Sequence, residues 1–126
     1  MGMFKQYTDQ GALEKLWFED WNFCVCGCPE DTLCFIYEIM QLKDDHHNDR
    51  LSFDEYWAKF QELTKADHEG LRWFIWYWLD AHELTEHGGN VSAGWLTPKG
   101  EEVLALLQKW WEEAKGTFED VKEDDK

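Results

Sequence analysis

Positive charge is what this chain has least of. Twelve lysines and arginines stand against 27 aspartates and glutamates in 126 residues, a formal charge of −15. Nucleic-acid binding draws its affinity from Lys and Arg neutralising phosphates, so this balance argues against a direct nucleic-acid ligand, and against an anionic membrane surface. A long apolar run is also missing. The most apolar stretch, Leu71–Leu79, is nine residues, where crossing a bilayer takes roughly 20. Met1–Gln10 is polar and lacks the apolar segment of a signal peptide. Serine occurs only at Ser52 and Ser92, neither in a nucleophile elbow. Gly88-Gly89 is not followed by the Lys-Ser or Lys-Thr of a phosphate loop. These absences exclude the familiar catalytic sets, and the chain is expected not to be an enzyme.

Aromatic rings are what the chain has in excess: nine tryptophans, eight phenylalanines and four tyrosines. They supply a large apolar area per residue, and a domain this small leaves some of them partly exposed. Exposed aromatic rings are enriched at protein interfaces. The densest cluster, Leu71-Arg72-Trp73-Phe74-Ile75-Trp76-Tyr77-Trp78-Leu79, has no proline near it. Leu71, Phe74, Ile75, Trp78, Leu79 and His82 keep the i, i+3, i+4 spacing of one helical stripe, with Trp73, Trp76 and Tyr77 on a second. The spacing predicts a core helix over residues 67–84.

Around it the pattern predicts a mainly α fold of about five helices. Thr8 or Asp9 caps a first helix that runs to Trp21 and buries Leu13, Leu16, Trp17 and Trp21. Cys28-Pro29-Glu30-Asp31 opens a second, with proline at the first position and acids in the first turn. Lys43–Arg50 reads as a polar loop. Ser52 with Glu55 forms a capping box for a third helix carrying Phe53, Tyr56, Trp57, Phe60 and Leu63. One small β-hairpin is expected over about 85–96, turning at Gly88-Gly89-Asn90. Thr97-Pro98 starts the last helix, with Gly116 as its stop. Residues 1–116 read as a single domain and 117–126 as an acidic, disordered tail.

Helix, turn, helix, glycine-containing hairpin, then Leu96-Thr97-Pro98-Lys99-Gly100 opening another helix resembles the layout of winged-helix domains over Ser52–Trp111. In a DNA-reading member the second helix of the motif presents basic side chains. Here it carries the aromatic run with Arg72 alone, so the resemblance implies the fold without DNA reading. Cys26-Gly27-Cys28-Pro29-Glu30, Leu84-Thr85-Glu86-His87-Gly88-Gly89 and Trp95-Leu96-Thr97-Pro98-Lys99-Gly100 together resemble a group of small uncharacterised phage and prophage proteins. That resemblance implies a phage origin and action on host machinery inside a bacterial cell.

Cys24, Cys26, Cys28 and Cys34 give C-x-C-x-C-x5-C, with His46 and His47 beyond. Structural zinc is usually held by two short pairs that each hook a turn. Alternating cysteines on an extended strand stand about 6–7 Å apart, so one ion takes Cys24, Cys26, Cys28 and His46 only if Gly27 folds the segment back. Burial and capping are the plainer reading. Clustered cysteines also fit a reduced, cytoplasmic protein better than a secreted disulfide framework. His82-Glu83-x-x-Glu86-His87 resembles a zinc-hydrolase helix but misses the i, i+4 spacing that puts two ligands on one face. Acidic residues at Asp44, Asp45 and Asp49, with the rings of Trp95 and Trp111, are the candidate contacts for a partner. Lys59 and Lys109 interrupt the acidic rows, so no ladder at phosphate spacing emerges. The reading that follows is a non-enzymatic, acidic interaction module with no cofactor. It binds and inhibits or redirects a host protein, one that is basic, nucleic-acid-binding or part of host defence. The alternative is a small zinc-stabilised structural or regulatory domain built on Cys24–Cys34.

Overall fold

The computed structural model describes residues 4–24, 29–64, 69–88 and 94–124, the side chains of 69 and 116–124 excepted. The chain is mainly helical, with one two-stranded antiparallel sheet among the described residues. The helices are α1 (Gln10–Glu14), continuing into a π-helical turn (Lys15–Asp20), α2 (Pro29–His47), α3 (Phe53–Thr64), α4 (Glu69–Ala81) and α5 (Pro98–Asp124). The strands are β1 (Thr85–Glu86) and β2 (Trp95–Leu96). By packing, the chain divides into two compact units. Residues 1–34 with 105–126 form the first, and 35–104 the second.

In the first unit the expected buried set is present: Leu13, Leu16, Trp17 and Trp21 are all buried, with Phe4 beside them. Phe4 meets the Trp17 ring edge-on at 6.1 Å, and Trp17 meets Phe23 at 4.7 Å. The expected cap is not made. Asp9 gives no side-chain cap bond and instead faces Lys109 at 3.2 Å, while the Thr8 hydroxyl donates to Glu113 at 2.8 Å. Ion pairing and a charged acceptor on α5 outcompete the local cap. The helix also widens: Trp21 N–H reaches back five residues to the Leu16 carbonyl, 2.9 Å away. One such π turn admits an extra residue and brings Leu16 and Trp21 onto a common face. Asn22, at φ 56°, ends it in the left-handed region. The Trp17 indole N–H then donates to the Cys24 carbonyl at 2.9 Å.

α5 runs through Gly116 to Asp124, past the expected stop and into the expected tail. A glycine costs a helix interior about 1 kcal/mol, which flanking helix formers and the Lys115–Glu112 pair at 2.7 Å offset.

The second unit is organised by α4, though not by the predicted face. Arg72, Ile75, Trp76 and Leu79 are buried, while Leu71, Phe74 and Tyr77 are exposed. Both faces of this helix are apolar, so periodicity could not say which one turns inward. Packed in the same unit are Ile36, Ile39, Met40, Tyr56, Phe60, Leu84, Leu96, Val103 and Leu104. α2 extends to His47 through the stretch predicted to be a loop, because Lys43 is buried and Arg50 clasps Asp44 and Asp45 at 2.7 and 2.8 Å. The Ser52/Glu55 capping box is made reciprocally, at 3.2 Å in each direction. It holds the Glu55 carboxyl below its usual range, the Ser52 backbone N–H first and the hydroxyl second.

The hairpin pairs Thr85 with Leu96 and Glu86 with Trp95. Its ladder continues where Thr97 N–H meets the Leu84 carbonyl at 3.1 Å. Thr97 caps α5, its hydroxyl oxygen accepting from Gly100 N–H at 2.9 Å. At Gly94 and Gly100 a Cβ would drive into the Glu86 and Leu84 carbonyl oxygens respectively. Glycine is there so that backbones can touch.

Candidate functional site

Two places in the second unit bring functional side chains together. The first is the outer side of α4. Residues 71, 74 and 77 fall on one stripe, and their exposures, 39% for Leu71, 66% for Phe74 and 58% for Tyr77, leave a row of large apolar side chains facing outward. An aromatic chain runs inward from it. Tyr77 lies against Trp73, Trp73 meets Trp76 edge-on at 5.2 Å, and Trp76 meets Trp57 at 5.5 Å. Trp57 stacks on Phe53 at 5.8 Å, and Phe53 is again half exposed. The Arg72 guanidinium sits over the Trp57 ring, 4.9 Å from its centre. α3 and α4 thus pack ring against ring, with Arg72 and Trp76 buried between the exposed rings of Phe53 and Tyr77.

The second place is the end of α4. Leu84 N–H bonds the Leu79 carbonyl at 3.0 Å, and Glu83 adopts a left-handed φ of 61°, turning the chain into β1. The turn brings Thr85 and His87 to Asp80. The Thr85 hydroxyl donates to one Asp80 oxygen, and His87 Nδ1 lies 2.6 Å from the other. Asp80, Glu83, Thr85, Glu86, Thr97, Pro98 and Lys99 line a cleft of about 380 Å³. The composition of this cluster invites a catalytic reading, but the order of contacts opposes it. In a nucleophilic relay the imidazole touches the hydroxyl and the carboxylate orients the imidazole. Here the carboxylate lies between them, so the arrangement ties β1 to α4. Spacing alone did not reveal it: Asp80, Thr85 and His87 meet only because Glu83 takes the left-handed turn.

Behind Asp80 lies Lys43. Burial pushes its ammonium down to about 8, with the Asp80 charge acting in the opposite direction. Burial likewise holds the Tyr56 phenol above its ordinary range, with the Trp76 indole N–H pulling the other way. That indole is near the phenol without the geometry of a hydrogen bond, since Tyr56 Oη and Trp76 Nε1 are both buried with no bonding partner.

The residues singled out from sequence are dispersed. Cys26 and Cys28 lie outside the described residues. Cys24 is disulfide-bonded, against the reduced set expected, and a sulfur in that bond is no thiolate ligand. Cys34 keeps its thiol, half-buried on α2. His46 is committed elsewhere, stacked on Tyr56 at 4.8 Å with Nδ1 3.4 Å from the Leu51 carbonyl. Among the described residues no group of His, Cys, Asp or Glu is placed to hold a metal ion. Of the candidate partner contacts, Asp44 and Asp45 are held by Arg50. Asp49 is exposed at the left-handed end of α2. Trp95 is half-buried against His47 in the second unit, and Trp111 is half-buried beside Trp110 in the first. Phe74 and Tyr77, which the helical spacing places in a core helix, are exposed instead.

No protein-family model, curated protein or solved structure matches the chain. No described helix is long and apolar enough to cross a membrane.

Proposed function

We propose that this chain is a non-enzymatic interaction module that docks a partner protein on the outer face of α4. The observation that carries the reading is the row Leu71, Phe74 and Tyr77, which the fold leaves uncovered on its most apolar helix. Fully burying a side chain of that size is worth about 1.5–3 kcal/mol. A partner that covers the row gains what folding left unused, and large contiguous apolar patches on soluble domains mark such sites. The charge of −15 adds long-range attraction to a basic partner and repels polyanions. The resemblance to small phage proteins points the search to host machinery, with a basic, nucleic-acid-binding or defence protein as the class favoured by charge. Inhibition or redirection of that protein follows from covering its working surface.

A chain carrying Phe74→Glu with Tyr77→Glu tests this in bacterial lysate beside the unaltered one. A specific protein held by the unaltered chain, released by the double substitution and weakened by salt is the expected result. Capture of nothing specific at low and moderate salt alike, or capture indifferent to the substitutions, would overturn the reading.

A further inference from the structure

α4 is apolar on two sides, and the fold covers one of them. Arg72, Ile75, Trp76 and Leu79 make up the buried side, which other helices pack: Trp57 and Phe60 of α3 and Lys43 of α2 all reach Trp76. On the other side Gly70, Leu71, Phe74, Tyr77 and Ala81 are exposed and Trp78 is half-buried. At about 100° per residue these six positions span an arc of about 120°, centred on Phe74, which is 66% exposed. That is the width of stripe a helix turns toward a core, and a helix apolar all round is ordinarily enclosed by neighbours. No charge interrupts the arc. In a chain with 27 acidic residues, none falls between Glu69 and Asp80. Leu71, Phe74, Trp78 and Ala81 step by three, four and three, the a/d spacing with which one helix packs along another. From Gly70 to Ala81 the seam runs about 17 Å, roughly three turns.

We propose that this arc takes a single amphipathic helix of the partner protein, with an apolar seam at heptad spacing and Lys or Arg at its ends. The inference rests on the reading of the α4 face as a docking surface and adds the form and charge of what docks there. Recognition of this kind is read through anchors at i, i+3, i+4 and i+7, which is how the arc itself is spaced. Charge favours a basic helix over a second copy of the chain, since two molecules of −15 repel one another. Beyond Ala81 the exposed Glu83 and Glu86 stand at the C-terminal end of α4, where a cation is favoured by both carboxylates and by the helix dipole.

The probes are three capped, fluorescein-tagged peptides of about 16 residues, a length at which an isolated helix is marginal. One has leucine at a and d, alanine and glutamine between, and lysines in both terminal turns. The second has the same composition with the leucines at alternate positions, and the third has glutamate in place of lysine. Titrated with the full chain, the first should bind saturably by anisotropy and gain helical circular dichroism as it does. The alternating and the glutamate peptides should each bind about tenfold more weakly, or less. Phe74→Glu with Tyr77→Glu, both on the exposed side, should abolish binding while the chain keeps its own helical signal. Glu83→Lys with Glu86→Lys should narrow or reverse the preference for lysine over glutamate. Equal binding of the alternating peptide, equal or tighter binding of the glutamate peptide, or no binding of any would overturn the proposal. So would binding that survives the Phe74 and Tyr77 substitutions, or a charge preference indifferent to those at Glu83 and Glu86. So would sedimentation of the unaltered chain as a dimer that Phe74→Glu dissociates, which gives the arc to a second copy. Lysate capture that depends on Phe74 and Tyr77, beside a negative peptide titration, sinks this inference and leaves the docking surface standing. Helical peptide binding beside a lysate that yields nothing specific leaves the helix site standing and sinks the host-protein reading.

Discussion

The Lys43 ammonium lies 5.6 Å from the centre of the Trp76 ring, and both side chains are buried to 1% exposure or less. The ring face and the Asp80 carboxylate favour the charged amine, and burial opposes them and wins.

The pH dependence of stability follows in sign. Folding lowers Lys43 from 10.5 to about 8. Below pH 8 both folded and unfolded chains hold the proton, and the penalty is present in full. Between there and the unfolded value the unfolded chain holds a proton that the native chain has released, so stability rises with pH, by up to about 3 kcal/mol. Above the ordinary tyrosine range Tyr56 acts oppositely, its native phenol keeping a proton that the unfolded chain has lost. Urea melts from pH 7 to 9.5 should show the rise in the unaltered chain and not in Lys43→Met, which should also be the more stable at pH 7. Equal slopes in the two would show that the amine is solvated.

Glu83 occupies a left-handed backbone position, which a residue with a Cβ adopts only under strain. Glu83→Gly should stabilise by about 0.5–1 kcal/mol, read as a higher midpoint in denaturant at unchanged slope. The Thr97 hydroxyl bond at 2.6 Å goes to the Glu83 backbone carbonyl and survives the change. A destabilised variant would mean that the carboxylate has a role in the cleft.

The inward face of α4 can be told from the outward one by substitution. Trp76→Ala should cost about 3–5 kcal/mol, the usual loss for a fully buried ring. Phe74→Ser should stay within about 0.5 kcal/mol, as surface changes do. Thermal melts compare them. Similar losses at both positions would restore the packing predicted from periodicity.

Local signals were legible in the sequence and relational ones were not. Ser52 with Glu55, Pro29 at the head of α2, and Thr97 before α5 each announce a helix start through neighbours three residues away or nearer, and each is a helix start here. The hairpin was legible for the same reason. The orientation of α4 was not, because Leu71, Phe74 and Tyr77 are as apolar as Ile75, Trp76 and Leu79. What decides between the two faces is what other elements bring against them, the rings of α3 and Lys43 of α2 among them. Lys43 and Arg72 illustrate the same limit. Each looks like a surface cation in sequence, and each is buried against a tryptophan from another helix.

The π turn at Lys15–Asp20 means that the opening helix holds one residue more than an α-helical ladder would count. Excising Phe18 lets the winding return to 3.6 residues per turn while Leu13 and Trp21 still point the same way. A like excision in α3 would swing every downstream side chain by about 100°. The first helix is therefore the place where this chain tolerates losing a residue without losing phase.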